Sequence, residues 1–220
     1  MKCQLISYPK SGRTWFRYML VQLDQASNVH FHHDGFEFND GRKPPLNFDA
    51  KTRLTHYADD DKIIYLRRDP RDVMVSLYHQ VTGRFQDFFG YRGSISDFLR
   101  DPYFGAHHLA RAQAMWQELA MMKGFLTITY EDCHRDPVAV LQRSLDYWGL
   151  SADRNAIERA VEASSLDKMR QIEDADTFAE PWLRKRNGAA KVRRGLVGGF
   201  RLELNEQDIK FLNEVFDCPA

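Results

Sequence analysis

The feature that most restricts what this chain can fold into is a local grammar met three times: a short apolar run, a turn, then a helix. Residues 3–8 (CQLISY) read as a strand, residues 10–12 as a turn, and residues 13–25 as a helix with Trp15, Met19, Leu20 and Leu23 at helical spacing. Residues 62–67 (KIIYLR) read as a second strand, with β-branched Ile63 and Ile64, and Asp69-Pro70 starts a helix over about 71–80. Residues 125–130 (FLTITY) read as a third, and Asp136-Pro137 opens a helix that runs to about Trp148. Strands alternating with helices predict an α/β fold around a parallel sheet, with ligands beyond the carboxyl ends of the strands. At 220 residues the chain closes one sizeable core, so 1–220 is read as a single domain.

The stretches between these units are less regular. Residues 30–51 are rich in His, Asp, Asn, Gly and Pro without a clear period, which reads as a long irregular segment or lid. Residues 78–123 are dense in Phe, Tyr and His and look helical from about His107; their aromatics fit helical packing or an acceptor pocket equally well. Lys plus Arg equals Asp plus Glu at 31 each, which argues against the global basic field of a broad nucleic-acid binder and makes any anion site local. Cys3, Cys133 and Cys218 suit neither a disulfide framework nor a metal site, and point to a reducing compartment. His32-His33 and His107-His108 lack the spacing and acidic partner of a zinc helix, so they read as solvated loop histidines and no metal is expected. No apolar leader opens the sequence and no run approaches membrane-spanning length; a cytoplasmic protein without membrane partners is expected.

The chemistry concentrates first in Tyr8-Pro9-Lys10-Ser11-Gly12-Arg13-Thr14-Trp15, between a predicted strand and a predicted helix. There a glycine, two hydroxyls and a lysine meet the free N–H groups of a helix start, which is an anion site. The order differs from the Walker pattern, since the lysine precedes a single glycine, and this disfavours an ordinary P-loop ATPase or kinase. The octet YPKSGRTW resembles the 5′-phosphosulfate loop (YPKSGTTW) of the cytosolic and bacterial sulfotransferases, which use 3′-phosphoadenosine 5′-phosphosulfate (PAPS) as donor. The resemblance implies a three-layer α/β domain with a P-loop-like phosphosulfate loop. It also implies that Lys10 reaches the oxygen bridging phosphorus and sulfur, that Ser11, Gly12 and Thr14 hold the 5′-phosphate, and that Trp15 flanks the adenine. Arg13 replaces the usual Thr; a cation there adds a phosphate contact or reaches toward the acceptor.

Further segments match the same family in chain order. Arg67-Arg68-Asp69-Pro70-Arg71-Asp72-Val73-Met74-Val75-Ser76 is similar to its 3′-phosphate motif, which implies that Arg68 and Ser76 grip that phosphate, a task suited to the arginine fork. Arg71 reads as an ordinary charged helix start. Tyr130-Glu131-Asp132 and Ser164-Ser165-Leu166-Asp167-Lys168-Met169 resemble segments that bring Tyr130 and Ser164 to the adenine. Val192-Arg193-Arg194-Gly195-Leu196-Val197-Gly198-Gly199-Phe200 resembles RKGxxGDW, which implies that Arg193, Arg194 and Gly195 close over the 3′-phosphate, although Gly199 and Phe200 replace its Asp and Trp.

For the base, Arg53-Leu54-Thr55-His56 is taken as the counterpart of the family's Lys-Thr-His triplet, with Leu54 where lysine is common and His79 and His107 in reserve. The resemblance then implies in-line sulfuryl transfer from PAPS to an acceptor hydroxyl on a small molecule, natural product or glycan, with adenosine 3′,5′-bisphosphate as product and no metal. The acceptor-determining segments are expected at 30–51 and 85–108. The vertebrate dimer motif is not present around 201–210, so the oligomeric state stays open. Two rivals are weighed: a magnesium-dependent kinase of related fold, disfavoured by the altered loop, and a non-catalytic nucleotide or nucleic-acid binder, disfavoured by the acidic interruptions Asp69 and Asp72.

Overall fold

The computed structural model describes residues 1–42 and 44–218. Its sheet has four parallel strands, β1 (Cys3–Ser7), β2 (Val29–His32), β3 (Lys62–Arg67) and β4 (Leu126–Thr129), in the order β2-β1-β3-β4. The register places Ile6 opposite both His32 and Tyr65, and Leu66 opposite Ile128. Among the described residues eleven α-helices connect and cover it: α1 (Arg13–Gln22), α2 (Ala50–Leu54), α3 (Pro70–His79), α4 (Gln86–Phe89), α5 (Ile95–Arg100), α6 (Ala106–Lys123), α7 (Tyr130–Arg135), α8 (Pro137–Trp148), α9 (Arg154–Ala163), α10 (Leu166–Asp174) and α11 (Glu206–Phe216).

The period of two along β1 and β3 sorts their side chains into two cores. Ile6, Ile63 and Tyr65 face one side, with Val73 and Leu77 of α3, Leu109 and Trp116 of α6 and Leu212 of α11. Leu5, Ile64, Leu66 and Ile128 face the other, with Phe16 and Leu20 of α1, Leu141 and Trp148 of α8 and Ile157 of α9. This two-sided burial explains why β3 carries an unbroken run of large, largely apolar side chains from Ile63 to Leu66, and it gives the three-layer α/β architecture.

Two expectations change. Residues 30–51 are not irregular throughout: β2 occupies their start, pairs with β1, and ends at His32, so His32 and His33 belong to the sheet's carboxyl edge. In residues 78–123 the aromatics pack. Phe98 is fully buried, stacks on Phe104 at 5.6 Å and meets Tyr78 and Tyr91 edge-on, all within the core.

Candidate active site

A cavity of about 470 Å³ lies where all four strands end. Pro9 and Lys10 follow β1, His33 follows β2, Arg68 follows β3 and Tyr130 follows β4, and all five line it. Further walls come from α1 (Arg13, Thr14, Trp15), α3 (Asp72, Ser76), α10 (Leu166, Met169) and the segment 191–199.

The loop after β1 is held in an uncommon backbone shape. Lys10 has φ of 73° and Gly12 φ of 100°, and a Cβ on Gly12 would approach Cδ2 of Tyr130 to 2.4 Å, so glycine is needed both for the turn and for the ring packed against it. The turn starts α1 at the cavity, where its first N–H groups have no partner within the helix. Ser11 lies beneath the loop, 1 % exposed, its Oγ buried without a hydrogen bond.

Arg68 ties three parts of the wall together. Its guanidinium donates to the carbonyl of Lys10 (3.2 Å) and to that of Leu196 (2.9 Å), stands 3.7 Å from Asp72 and lies 4.2 Å over the ring of Tyr130, while its Nε is buried without a partner. Asp72 accepts from the N–H groups of Gly198 (2.8 Å) and Phe200 (2.9 Å), docking the 191–200 segment on α3. Arg193 and Arg194 are held by Glu203 at 2.5 and 3.5 Å. Arg71 is turned away and pairs with Asp69 at 2.8 Å, a helix-start role as expected. Beside Arg68 the wall is aromatic: Trp15 meets Tyr130 edge-on at 5.7 Å and His134 at 5.0 Å, and Tyr130 donates to the carbonyl of Gly195.

The histidine at the centre is not the expected one. His56, the expected base, is exposed just beyond α2 and does not line the cavity. His107 is also exposed, and His79 is bound to Glu203 outside the cavity lining. His33 occupies the position instead. Its Nδ1 donates to the carbonyl of Ser7 at 2.6 Å, an acceptor-only partner, which leaves the lone pair on Nε2. Burial, followed by the charge of Arg13, holds its pKa well below the ordinary histidine value, so the ring is neutral at pH 7. The next residue fixes it: Asp34 is buried, accepts from Tyr57 (2.5 Å) and Trp116 (3.1 Å), and pairs with Arg53 at 3.4 Å. A signal existed in the Val29-His30-Phe31-His32-His33 alternation, whose apolar members share one face.

Ser164 also moves. It is fully buried, its Oγ has no partner, and its carbonyl accepts from the Trp15 indole at 2.8 Å; its neighbour Ser165 reaches the cavity. Among the described residues of 85–108 none lines this cavity. Lys191, which no motif singled out, does line it.

The site is positively charged and poorly compensated. Burial, then the charges of Lys191, Arg84, Arg68 and Arg193, push the Lys10 ammonium well below its ordinary pKa. Such crowding is tolerable when a polyanion enters. Among the described residues no group of three or more His, Cys, Asp or Glu is arranged to hold a metal, and no helix is long and apolar enough to cross a membrane.

A parallel α/β domain whose strand ends gather an anion loop, a buried lysine, several arginines and a neutral imidazole belongs among the P-loop-like folds. More specifically, the chain belongs to the sulfotransferase domain family, whose model matches residues 2–218. It is 26 % identical to human Sulfotransferase 2B1, over 90 % of this chain and 60 % of that protein, and 29 % identical to mouse Sulfotransferase 4A1, over 72 % and 54 %. The chain thus spans less than two thirds of the length of these relatives. Among solved structures, mouse sulfotransferase SULT7A1 complexed with PAP superposes with a TM-score of 0.66 at 19 % identity, covering 98 % of this chain and 82 % of that one. Retinol dehydratase in complex with androsterone and the inactive cofactor PAP gives 0.64 at 21 %, covering 98 % and 79 %.

Proposed function

We propose that this chain, read as one sulfotransferase domain over 1–220, transfers a sulfuryl group from PAPS to an acceptor hydroxyl. The observation that carries this reading is the convergence of Lys10, Arg68, Arg193, Arg194 and the neutral His33 on one cavity at the sheet's carboxyl edge. The residues present fit the donor. Ser11 Oγ and the Nε atoms of Arg68 and Arg193 are buried polar atoms without protein partners, as expected of groups whose partners belong to a ligand. Lys10, Ser11, Gly12, Thr14 and the backbone of Arg13 are assigned to the 5′-phosphosulfate; Arg68, Ser76, Arg193, Arg194 and Gly195 to the 3′-phosphate; Trp15 and Tyr130 to the adenine, with Ser164 acting through its carbonyl.

The donor supplies an activated sulfuryl group and a bisphosphate leaving group. His33 takes the acceptor hydroxyl's proton at Nε2 as the new O–S bond forms and the bond from sulfur to the bridging oxygen breaks. Lys10 and the first-turn N–H groups of α1 stabilise the charge left on the departing phosphate, so positioning and electrostatics supply the acceleration. Hydroxyl-bearing small molecules are the proposed acceptors, by likeness to the androsterone-bound relative, with glycan hydroxyls the second class. The free thiols Cys3, Cys133 and Cys218 support assigning the protein to the reducing cytoplasm.

Calorimetric titration with adenosine 3′,5′-bisphosphate, alongside ADP and magnesium-ATP, tests the reading. Metal-independent binding that weakens at least ~10-fold without the 3′-phosphate is expected, the scale of one or two lost charge-assisted bonds. Preference for magnesium-ATP would replace the sulfotransferase by the kinase.

A further inference from the structure

With the donor's anions assigned to Lys10, Arg68, Arg193 and Arg194, two cations on the cavity wall are left over. Arg13 stands where the resembling loops carry Thr, and one of its terminal nitrogens is buried without a hydrogen-bond partner. Burial outweighs the nearby Glu37 and lowers the pKa of Arg13 to about 10, so it stays charged. Glu37 is itself engaged, accepting from the N–H of His33 at 3.1 Å. Lys191 lines the cavity too, and both oxygens of the nearby Glu173 are taken by the N–H groups of Lys191 and Val192 at 2.5 and 3.0 Å. Burial and the charges of Arg84 and Arg13 push its ammonium down to about 8, still protonated at neutral pH.

Both cations act on the reaction centre rather than on the nucleotide's far end. Arg13 and Lys191 line the same cavity as His33 and Lys10, and their charges oppose protonation of the His33 ring. The acceptor hydroxyl has to sit between His33 and Lys10.

We infer that the acceptor carries its own anionic group, a carboxylate or phosphate beside the hydroxyl, held by Arg13 and Lys191 next to His33. The inference rests on the sulfotransferase reading and names its substrate class. Two converging cations, one a planar fork and one a point charge, suit an oxyanion better than a neutral phenol or sterol. The same anion offsets the charges that depress His33, making the ring a stronger base once the acceptor is bound.

The test uses the protein saturated with adenosine 3′,5′-bisphosphate, titrated with 4-hydroxybenzoate, 4-hydroxyphenyl phosphate and the uncharged methyl 4-hydroxybenzoate. At least one anion is expected to bind ~10-fold or more tightly than the ester, the scale of a charge-assisted contact, with the preference falling as salt is added and lost in Arg13→Thr and Lys191→Met. Equal binding of anions and ester, or no binding of either anion, overturns the inference. Loss of bisphosphate affinity in both variants by the same factor as loss of anion affinity also overturns it, since the cations would then serve the donor. Absence of bisphosphate binding to the unaltered protein instead removes the sulfotransferase reading on which the inference rests.

Discussion

His33 and His56 carry the same side chain, and their surroundings decide which can work as a base. His33 has one nitrogen committed to the Ser7 carbonyl and the other free at the cavity, whereas His56 is in water beyond α2. Replacing His33 by Ala is expected to lower kcat ~100-fold or more, and His56→Ala to leave it within about twofold, judged by the usual weight of a general base and of a surface substitution. Because the folded pKa of His33 is depressed, kcat/KM for the donor, which reports the free enzyme, should hold down to pH 6.5 and fall only below it. The acid limb of kcat should lie higher, because bound anions offset the cations that oppose protonation. A limb at the ordinary histidine pKa in both profiles would exclude His33. At this scale the sequence was legible where neighbours in the chain act together: Lys10 and Gly12 on the turn and Thr14 and Trp15 at the start of α1 line one cavity, and the turn lies where it was expected. It was illegible for His33, whose position depends on a four-residue strand made visible only by pairing with β1.

Among elements, the segment 191–200 is docked on α3 through one carboxylate. Asp72 of α3 holds the N–H groups of Gly198 and Phe200 and stands beside Arg68. Asp72→Asn keeps the shape but removes the charge and one acceptor oxygen. It is expected to cost about 1–3 kcal/mol of stability, read by denaturant unfolding, and to speed bisphosphate release while leaving secondary structure unchanged. Unaltered stability and release would mean that the segment's other contacts, Phe200 buried against Arg71 at 4.4 Å and Arg68 on the Leu196 carbonyl among them, hold it without Asp72. The sequence marked α3 and α8 well because each begins with Asp-Pro, a cap followed by a residue pre-set for the first turn. Residues 78–123 looked equally suited to pocket and core, because aromatic residues serve both, and contacts such as that of the Phe98 and Phe104 rings are needed to tell them apart.

Over the whole molecule the charges cancel, yet their distribution does not: cations collect at the strand ends. Lys10 and Lys191 have folded pKa values below the usual lysine value, and above about 8, where Lys191 titrates, their contribution to stability rises with pH. The thiols of Cys3, Cys133 and Cys218 have raised pKa values and act in the opposite sense over the same range, since they ionise first in the unfolded chain. A comparison isolates the lysine: the unfolding temperature of Lys191→Met should fall relative to that of the unaltered protein as pH goes from 7.5 to 9.5, and an unchanged difference would mean that the ammonium is hydrated. The parallel sheet was foreseeable from three strand and helix units, but the side on which each connecting segment lay was not. Arg68 donates to the carbonyls of Lys10 and Leu196 at once, so the anion loop and the wall that faces it share one guanidinium. Neither side of the cavity can swing open without giving up a bond to the other, and loosening of one wall is felt by both.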